Sequence, residues 1–73
     1  MLFFGTTDPS TRHAPVIACG DARGAEFSFY EDRDGYYVME ERGNGAPRYW
    51  ASSDFDELLE ASGVGDNYET FDA

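Results

Sequence analysis

Lysine is absent from this chain of 73 residues, and its five basic residues are all arginine. Against them stand 15 aspartate and glutamate residues, so the net charge is −10 at pH 7. A surface this acidic repels the phosphates of nucleic acids and of anionic membranes. The sequence therefore argues against direct binding of nucleic acid or membrane, and it predicts a basic partner.

Cysteine and histidine occur once each. Cys19 lies in the apolar run "VIAC", so it forms no disulfide framework and we expect it to be a small buried hydrophobic residue. His13 lies in the loop-like segment "GTTDPSTRHAP", and no recognisable motif fixes a serine or cysteine beside it. A nucleophilic enzyme needs such a pair, so we predict a protein that is not an enzyme and uses no cofactor.

Long apolar runs are also missing. No stretch approaches the roughly 20 apolar residues of a membrane span, and "MLFFG" lacks the basic region and long apolar stretch of a signal peptide. A lone cysteine implies no oxidising compartment. We therefore expect a cytoplasmic protein, located in the host cytosol if the gene belongs to a phage.

The chain does contain enough apolar material for one core. Its hydrophobic fraction is 41%, with six phenylalanines, five tyrosines and Trp50, which is too apolar for a disordered acidic tail. A chain of this length supports only one modest core. We predict a single acidic domain over residues 1–73, a monomer whose acids lie on its surface.

Alternating apolar residues bounded by turn signals predict strands near 2–4, 16–19, 25–31, 36–42 and 47–51. The segment "SSDFDELLEASG" predicts a helix near 54–62, with Ser53 as N-cap and apolar residues at i, i+3 and i+4. The fold class is α+β: a small antiparallel sheet of four or five strands, a meander in the carboxyl-terminal half, and a C-terminal helix packed on one face. The final "DNYETFDA" is either a frayed tail or a short docked segment.

Two turns predict how the strands of the meander pair. The sequence "DRDG" fits a type I turn with a glycine bulge, which sets Asp32 opposite Tyr36. Asn44-Gly45 has the type I′ signature, which sets Met39 beside Trp50. The two registers place their apolar residues in one row, and the predicted core comprises Phe27, Phe29, Tyr37, Met39, Trp50, Phe55, Leu58 and Leu59.

A calcium loop is an alternative explanation of the same turn. The segment from Tyr30 to Glu41 partly fits the EF-hand loop, with acids or glycine at loop positions three, five, six and twelve. Tyr30 occupies the first ligand position, however, and the flanking segments are predicted strands instead of helices. We therefore assign the acids of "DRDG" to the turn and predict no metal site.

The spacing of the acids indicates a functional array. Alternate residues on one face of a strand lie about 6.6 Å apart and helix neighbours at i, i+4 about 6 Å apart, and both separations resemble a line of phosphates. In the predicted register Glu26, Asp32 and Glu40 share the face opposite Phe29. A nucleic-acid-binding groove is built to receive such an array. The predicted partner-binding residues are Glu31, Asp32, Asp34, Glu40, Glu41, Asp54, Asp56, Glu57 and Glu60.

In its charge, length and compactness the chain resembles the small acidic phage-encoded proteins that imitate DNA, among them anti-restriction and anti-CRISPR proteins. The resemblance implies a non-catalytic inhibitor that occupies the basic DNA-binding surface of a nucleic-acid-dependent effector, in particular a subunit of a CRISPR-Cas complex. It also implies that the acids between Glu31 and Glu41 engage lysine and arginine side chains of that protein.

Three other interpretations remain open. The segment "RYWASSDFDELLEASG", a strand that runs into a short acidic helix, is similar to the end of the Smi/Knr-type immunity proteins. That similarity implies an immunity protein or antitoxin that blocks a basic toxin. A haloadapted domain would use its acids to hold water and ions at high salt, and a plain solvated face would use them for solubility.

Overall fold

The computed structural model of the chain describes residues 2–4, 15–43 and 45–71. One helix, α1 (Phe55–Ser62), follows the fifth of six strands in these ranges. The strands are β1 (Leu2–Phe4), β2 (Val16–Ala22), β3 (Ala25–Asp32), β4 (Gly35–Glu41), β5 (Arg48–Ser52) and β6 (Tyr68–Thr70). They form one antiparallel sheet in the order β1-β5-β4-β3-β2-β6, and α1 packs on one face of it. The predicted α+β class is confirmed.

The sixth strand lies in the segment "DNYETFDA", which was predicted to be either a frayed tail or a short docked segment. β6 pairs with β2, with Thr70 opposite Ala18 and Tyr68 opposite Gly20. The backbone N–H of Phe71 donates to the carbonyl of Ile17 at 2.8 Å and extends the ladder beyond β6. The segment is therefore docked as an edge strand.

The hairpin of β3 and β4 has a different register from the predicted one. Asp32 pairs with Gly35 instead of Tyr36, so Arg33 and Asp34 form a two-residue turn. The carboxylate of Asp32 accepts a hydrogen bond from the backbone N–H of Asp34 at 2.8 Å and closes this turn locally. Gly35 has a φ of 151° and is the first residue of its strand, so it is not the bulge residue that the prediction required.

The hairpin of β4 and β5 is also shifted by one residue. Met39 pairs with Tyr49 instead of Trp50, and the last pair of this ladder is Glu40 with Arg48. Residues 42–47 therefore connect the strands, in place of a two-residue Asn44-Gly45 turn. Within this connection the N–H of Gly45 donates to the carbonyl of Arg42 at 3.3 Å. Asn44 lies outside the described residues.

These two shifts turn β4 over, because side chains of a strand alternate between the faces of a sheet. Val38 takes the place predicted for Met39, between Phe29 on β3 and Trp50 on β5. The buried core on the helix side comprises Ala18, Ala25, Phe27, Phe29, Val38, Trp50, Leu58, Leu59 and Val64. The prediction is confirmed for Phe27, Phe29, Trp50, Leu58 and Leu59, while Phe55 packs against this core partly buried.

Tyr37 and Met39 were predicted in this core, and that prediction is wrong. Both lie on the opposite face of the sheet, where Tyr30 and Tyr37 form a second buried cluster. Met39 and Ala51 pack against that cluster and remain partly exposed. The sheet therefore buries apolar side chains on both faces.

The helix start and its N-cap each lie one residue later than predicted. Asp54, not Ser53, is the N-cap, and its carboxylate accepts a hydrogen bond from the N–H of Asp56 at 3.0 Å. Gly63 ends the helix with a φ of 86°, and its N–H donates to the carbonyl of Glu60. Between these caps Leu58 is completely buried against the sheet.

The register can be tested with two isosteric changes on adjacent residues. Val38→Thr keeps the side-chain shape but buries a hydroxyl in an apolar core, and we expect it to lower the free energy of unfolding by about 1–3 kcal/mol. Met39→Gln changes a partly exposed side chain on the other face and should cost clearly less. Urea denaturation of both variants measures the difference. A larger loss for Met39→Gln would contradict the observed register.

Candidate partner-binding surface

The turn between β2 and β3 brings two acids into direct opposition. Arg23 and Gly24 have φ values of 53° and 76°, the combination that a type I′ turn requires. This turn pairs Asp21 with Glu26 across the hairpin. Arginine does not favour a positive φ, so "DARGAE" carries little sequence signal for such a turn. The prediction instead took the whole of "GDARG", with its two glycines around polar residues, as the turn, and therefore ended β2 at Cys19, before Asp21.

The next strand adds a third acid in the same line. Glu41 on β4 pairs with Glu26 on β3, and directly paired side chains share a face of the sheet. Asp21, Glu26 and Glu41 are all exposed and form what we call the acidic row. With strands about 4.8 Å apart, the row spans about 10 Å. About three phosphates of each strand of B-DNA occupy a similar axial length.

Within the described part of the chain, no arginine forms an ion pair with the acidic row. Arg42 and Arg48 instead contact Glu40, at 3.1 and 3.7 Å. Arg42 also donates to the backbone carbonyl of Arg23 at 3.0 Å, while the guanidinium of Arg23 lies beside Gly63 at the end of α1. Like charges directly opposite each other destabilise a sheet, so the row opposes folding without compensation from these arginines.

The acidic surface continues from the row toward β6. Glu69 pairs with Cys19, which shares a face with Asp21 because alternate residues of a strand point the same way. A shallow depression of about 320 Å³ is bordered by Asp21, Asp66 and Glu69, and an adjoining one of about 290 Å³ by Asp21 and Glu26. Acids therefore line a continuous open surface across β4, β3, β2 and β6.

The nine predicted site residues are distributed over several places, and the first group lies at the turn between β3 and β4. Asp34 is exposed there, and Asp32 accepts a hydrogen bond from the hydroxyl of Tyr37 at 3.2 Å. Glu31 is paired with Tyr36 across the hairpin. A hydrogen bond between these two side chains, together with the negative charges of Glu31 and Asp54, raises the pKa of Tyr36 above its usual value.

Glu40 does not belong to the exposed surface, and its predicted place beside Asp32 is wrong. The register shift turns its side chain toward the helix side, where it pairs with Phe27 and is only 6% exposed. Its carboxylate accepts a hydrogen bond from Arg42 through Oε2, while Oε1 has no hydrogen-bond donor among the described residues. Glu40 thus forms a partly buried ion pair with Arg42.

The helix acids are divided between structural contacts and solvent. Glu57 accepts a hydrogen bond from the hydroxyl of Ser52 at 2.8 Å, which lowers its pKa. Asp54 caps the helix, whereas Asp56 and Glu60 are exposed one turn apart. Of the nine predicted residues, Glu41 alone lies in the acidic row.

Sequence reasoning left four neighbouring acids out of the site. Glu26 was predicted on the exposed face but was not included among the partner-binding residues. Asp21 was missed because the predicted β2 ended before it. Asp66 and Glu69 were missed because β6 pairs with a strand almost 50 residues earlier in the chain.

Other chemistry finds little support in the described residues. No group of three or more histidine, cysteine or acidic side chains among them could hold a metal ion. Cys19, predicted to be buried, is partly exposed, and His13 lies outside the described residues. No helix in the described ranges has the length and apolar character needed to cross a membrane.

Comparison with protein-family models, with curated proteins and with solved structures finds no match to this chain. The feature that most needs a functional explanation is the acidic row, because it opposes folding and lacks ion pairs with the described arginines.

Glu40 and Glu41 are adjacent residues with opposite roles, so the same substitution separates them. Glu40→Gln removes a charged acceptor from a buried contact and should lower the free energy of unfolding by about 1–3 kcal/mol. Glu41→Gln relieves repulsion with Glu26 and should leave stability equal or higher. Thermal and urea denaturation measure both. A Glu40→Gln protein of unchanged stability would show that the ion pair of Glu40 with Arg42 contributes nothing.

The pKa of Tyr36 tests the acidic turn. Glu31→Gln removes the main cause of the shift and should lower this pKa toward its usual value, whereas the remote Glu41→Gln should leave it unchanged. Because the folded protein holds this proton more tightly than an unfolded chain, the shift adds stability that is lost as pH rises through the raised pKa. Titration of tyrosinate absorbance, with assignment of Tyr36 by NMR, measures the change.

Proposed function

We propose that this protein is a non-catalytic inhibitor that binds the basic nucleic-acid-binding surface of a partner protein and occupies the place of phosphates. The observation that carries this proposal is the acidic row of Asp21, Glu26 and Glu41. Its three carboxylates are exposed, directly paired across adjacent strands, and without ion pairs to the described arginines. The proposal deepens what the net charge alone suggests, because it assigns the contact to one part of the surface.

The cost of the row favours a function over mere solubility. Acids can promote solubility from any exposed position, and a surface that mixes both charges serves that purpose well. Three carboxylates in direct cross-strand register repel one another and oppose pairing of the very strands that carry them. A partner that supplies positive charge would relieve this repulsion on binding.

A basic nucleic-acid channel fits this chemistry. CRISPR effector complexes hold a guide-target duplex in a positively charged channel and recognise it through its backbone. We therefore propose a subunit of such a complex as the partner, with inhibition in the cytosol where the complex acts. The charge of −10 would accelerate the encounter with a basic surface, and added salt would weaken it.

Competition with DNA tests the proposal. Purified guide-loaded CRISPR effectors are mixed with a fluorescent target duplex, and the protein is titrated in while the bound fraction of DNA is measured. We expect displacement of the duplex that weakens as salt rises from about 0.05 to 0.2 M. Retention of the guide RNA in the same mixture serves as the control for general disruption of the complex.

Two charge-matched variants separate the arrangement of the acids from their number. The row variant carries Asp21→Asn, Glu26→Gln and Glu41→Gln, and the control variant carries Asp34→Asn, Asp56→Asn and Glu60→Gln. Each removes three negative charges and changes the net charge from −10 to −7. The row variant should need about tenfold more protein for half-displacement, a loss of about 1.4 kcal/mol.

The control variant should lose clearly less. Equal losses for the two variants would mean that net charge alone acts, and the proposed role of the row would be wrong. Displacement that persists in the row variant and does not respond to salt would indicate an aromatic interface instead. An unaltered protein that displaces DNA from none of the effectors would contradict the choice of partner.

A further inference from the structure

The outer side of β6 is an open edge among the described residues, because β6 is the last strand of the sheet and pairs with β2 on its other side. The Phe71 N–H bonds the Ile17 carbonyl, which makes these two residues a hydrogen-bonded pair. Such pairs alternate along an antiparallel ladder, so the backbone groups of Tyr68 and Thr70 point away from β2. The edge therefore offers donors and acceptors to another strand.

The side chains around this edge define what it can accept. Glu69 is exposed in the middle of β6, and Asp66 is exposed just before the strand. Phe71, directly after the strand, is 51% exposed, and Val16 near it is 42% exposed; these are the exposed large apolar residues of the described ranges. The edge thus combines two negative charges with an apolar contact at one end.

We propose that the β6 edge binds a basic, extended segment of a partner protein as a seventh strand. The backbone groups of Tyr68 and Thr70 would supply the ladder, as in other cases of strand addition. Basic side chains would lie beside Glu69 and Asp66, and an apolar side chain would contact Phe71. This surface is distinct from the acidic row, so the proposal does not depend on the row binding anything.

A second copy of this chain is a poor occupant of the same edge. Antiparallel pairing of two β6 strands about their centres would set the Glu69 carboxylates of both copies directly opposite each other, between molecules that each carry a charge of −10. Charged residues on short edge strands are a common means of preventing such self-association. Charge complementarity therefore selects a basic segment.

The test uses a synthetic peptide that alternates lysine and valine, and a matched peptide in which every backbone nitrogen is methylated. Both carry the same side chains and charge, but the methylated peptide has no N–H on either edge and cannot donate to the ladder. We expect NMR titration to show binding of the first peptide with new hydrogen-exchange protection at Tyr68 and Thr70. The methylated peptide should bind about tenfold more weakly or worse.

Substitutions at one position provide the second measurement. Thr70→Pro removes an N–H that points to the open side, and proline is tolerated on edge strands in that orientation. It should abolish strand-dependent binding, whereas Thr70→Ala keeps the N–H and should retain it. The urea midpoint of both variants controls for folding, and the peptide pair gives an answer even if Thr70→Pro fails to fold.

Several outcomes would overturn the inference. Equal binding of the plain and methylated peptides would mean charge attraction without strand addition. NMR shifts centred on the acidic row would mean that the peptide binds the row and not the β6 edge. Protection of β6 that rises with protein concentration in the absence of peptide would mean that a second copy of the chain occupies the edge. The row variant, which tests the proposed function, should keep its preference for the plain peptide, so the two proposals can fail separately.

Discussion

The pairing of Phe29 with Val38 is the constraint on which the other features depend. The two-residue turn at Arg33 and Asp34 sets this pair. The φ of Gly35 allows β4 to begin at Gly35, directly after the turn. Because side chains alternate along a strand, one pair decides the orientation of every residue of β4. A side chain at Gly35 would also approach the Ser52 carbonyl to 3.1 Å, so the same glycine lets β4 lie close to the end of β5.

This register separates two adjacent glutamates and, with them, the charges of the whole domain. Glu40 is turned under the sheet, where Arg42 and Arg48 contact its carboxylate. Glu41 is turned outward, beside Glu26, and forms no ion pair with these arginines. The buried carboxylate thus engages the nearest positive charges, and the exposed face near the β2–β3 turn is left negative. The register of β4 therefore causes both the ion pair of Glu40 with Arg42 and the exposure of Glu41 in the acidic row.

The face of the sheet opposite the helix consequently has an apolar end and an acidic end. Near the β3–β4 turn it is apolar, with Tyr30 and Tyr37 buried, and near the β2–β3 turn it carries Asp21, Glu26 and Glu41. The β6 edge adjoins the acidic end through Glu69. A partner that approached this end would meet negative charge on the face and unpaired backbone groups on the edge. Two kinds of contact, electrostatic and main-chain, are therefore available side by side.

The sequence predicted an acidic chain of the α+β class, because composition, alternation of apolar residues and helix-capping patterns are local and additive signals. It also placed most of the core, since Phe27, Phe29, Trp50, Leu58 and Leu59 are buried in either register. The strand register came from the folded structure, because the two plausible turns differ by one residue and the choice decides whether Val38 or Met39 is buried between Phe29 and Trp50. The folded structure also assembled the acidic row, since the Arg23-Gly24 turn carries little sequence signal, and β6, since its partner strand lies far earlier in the chain.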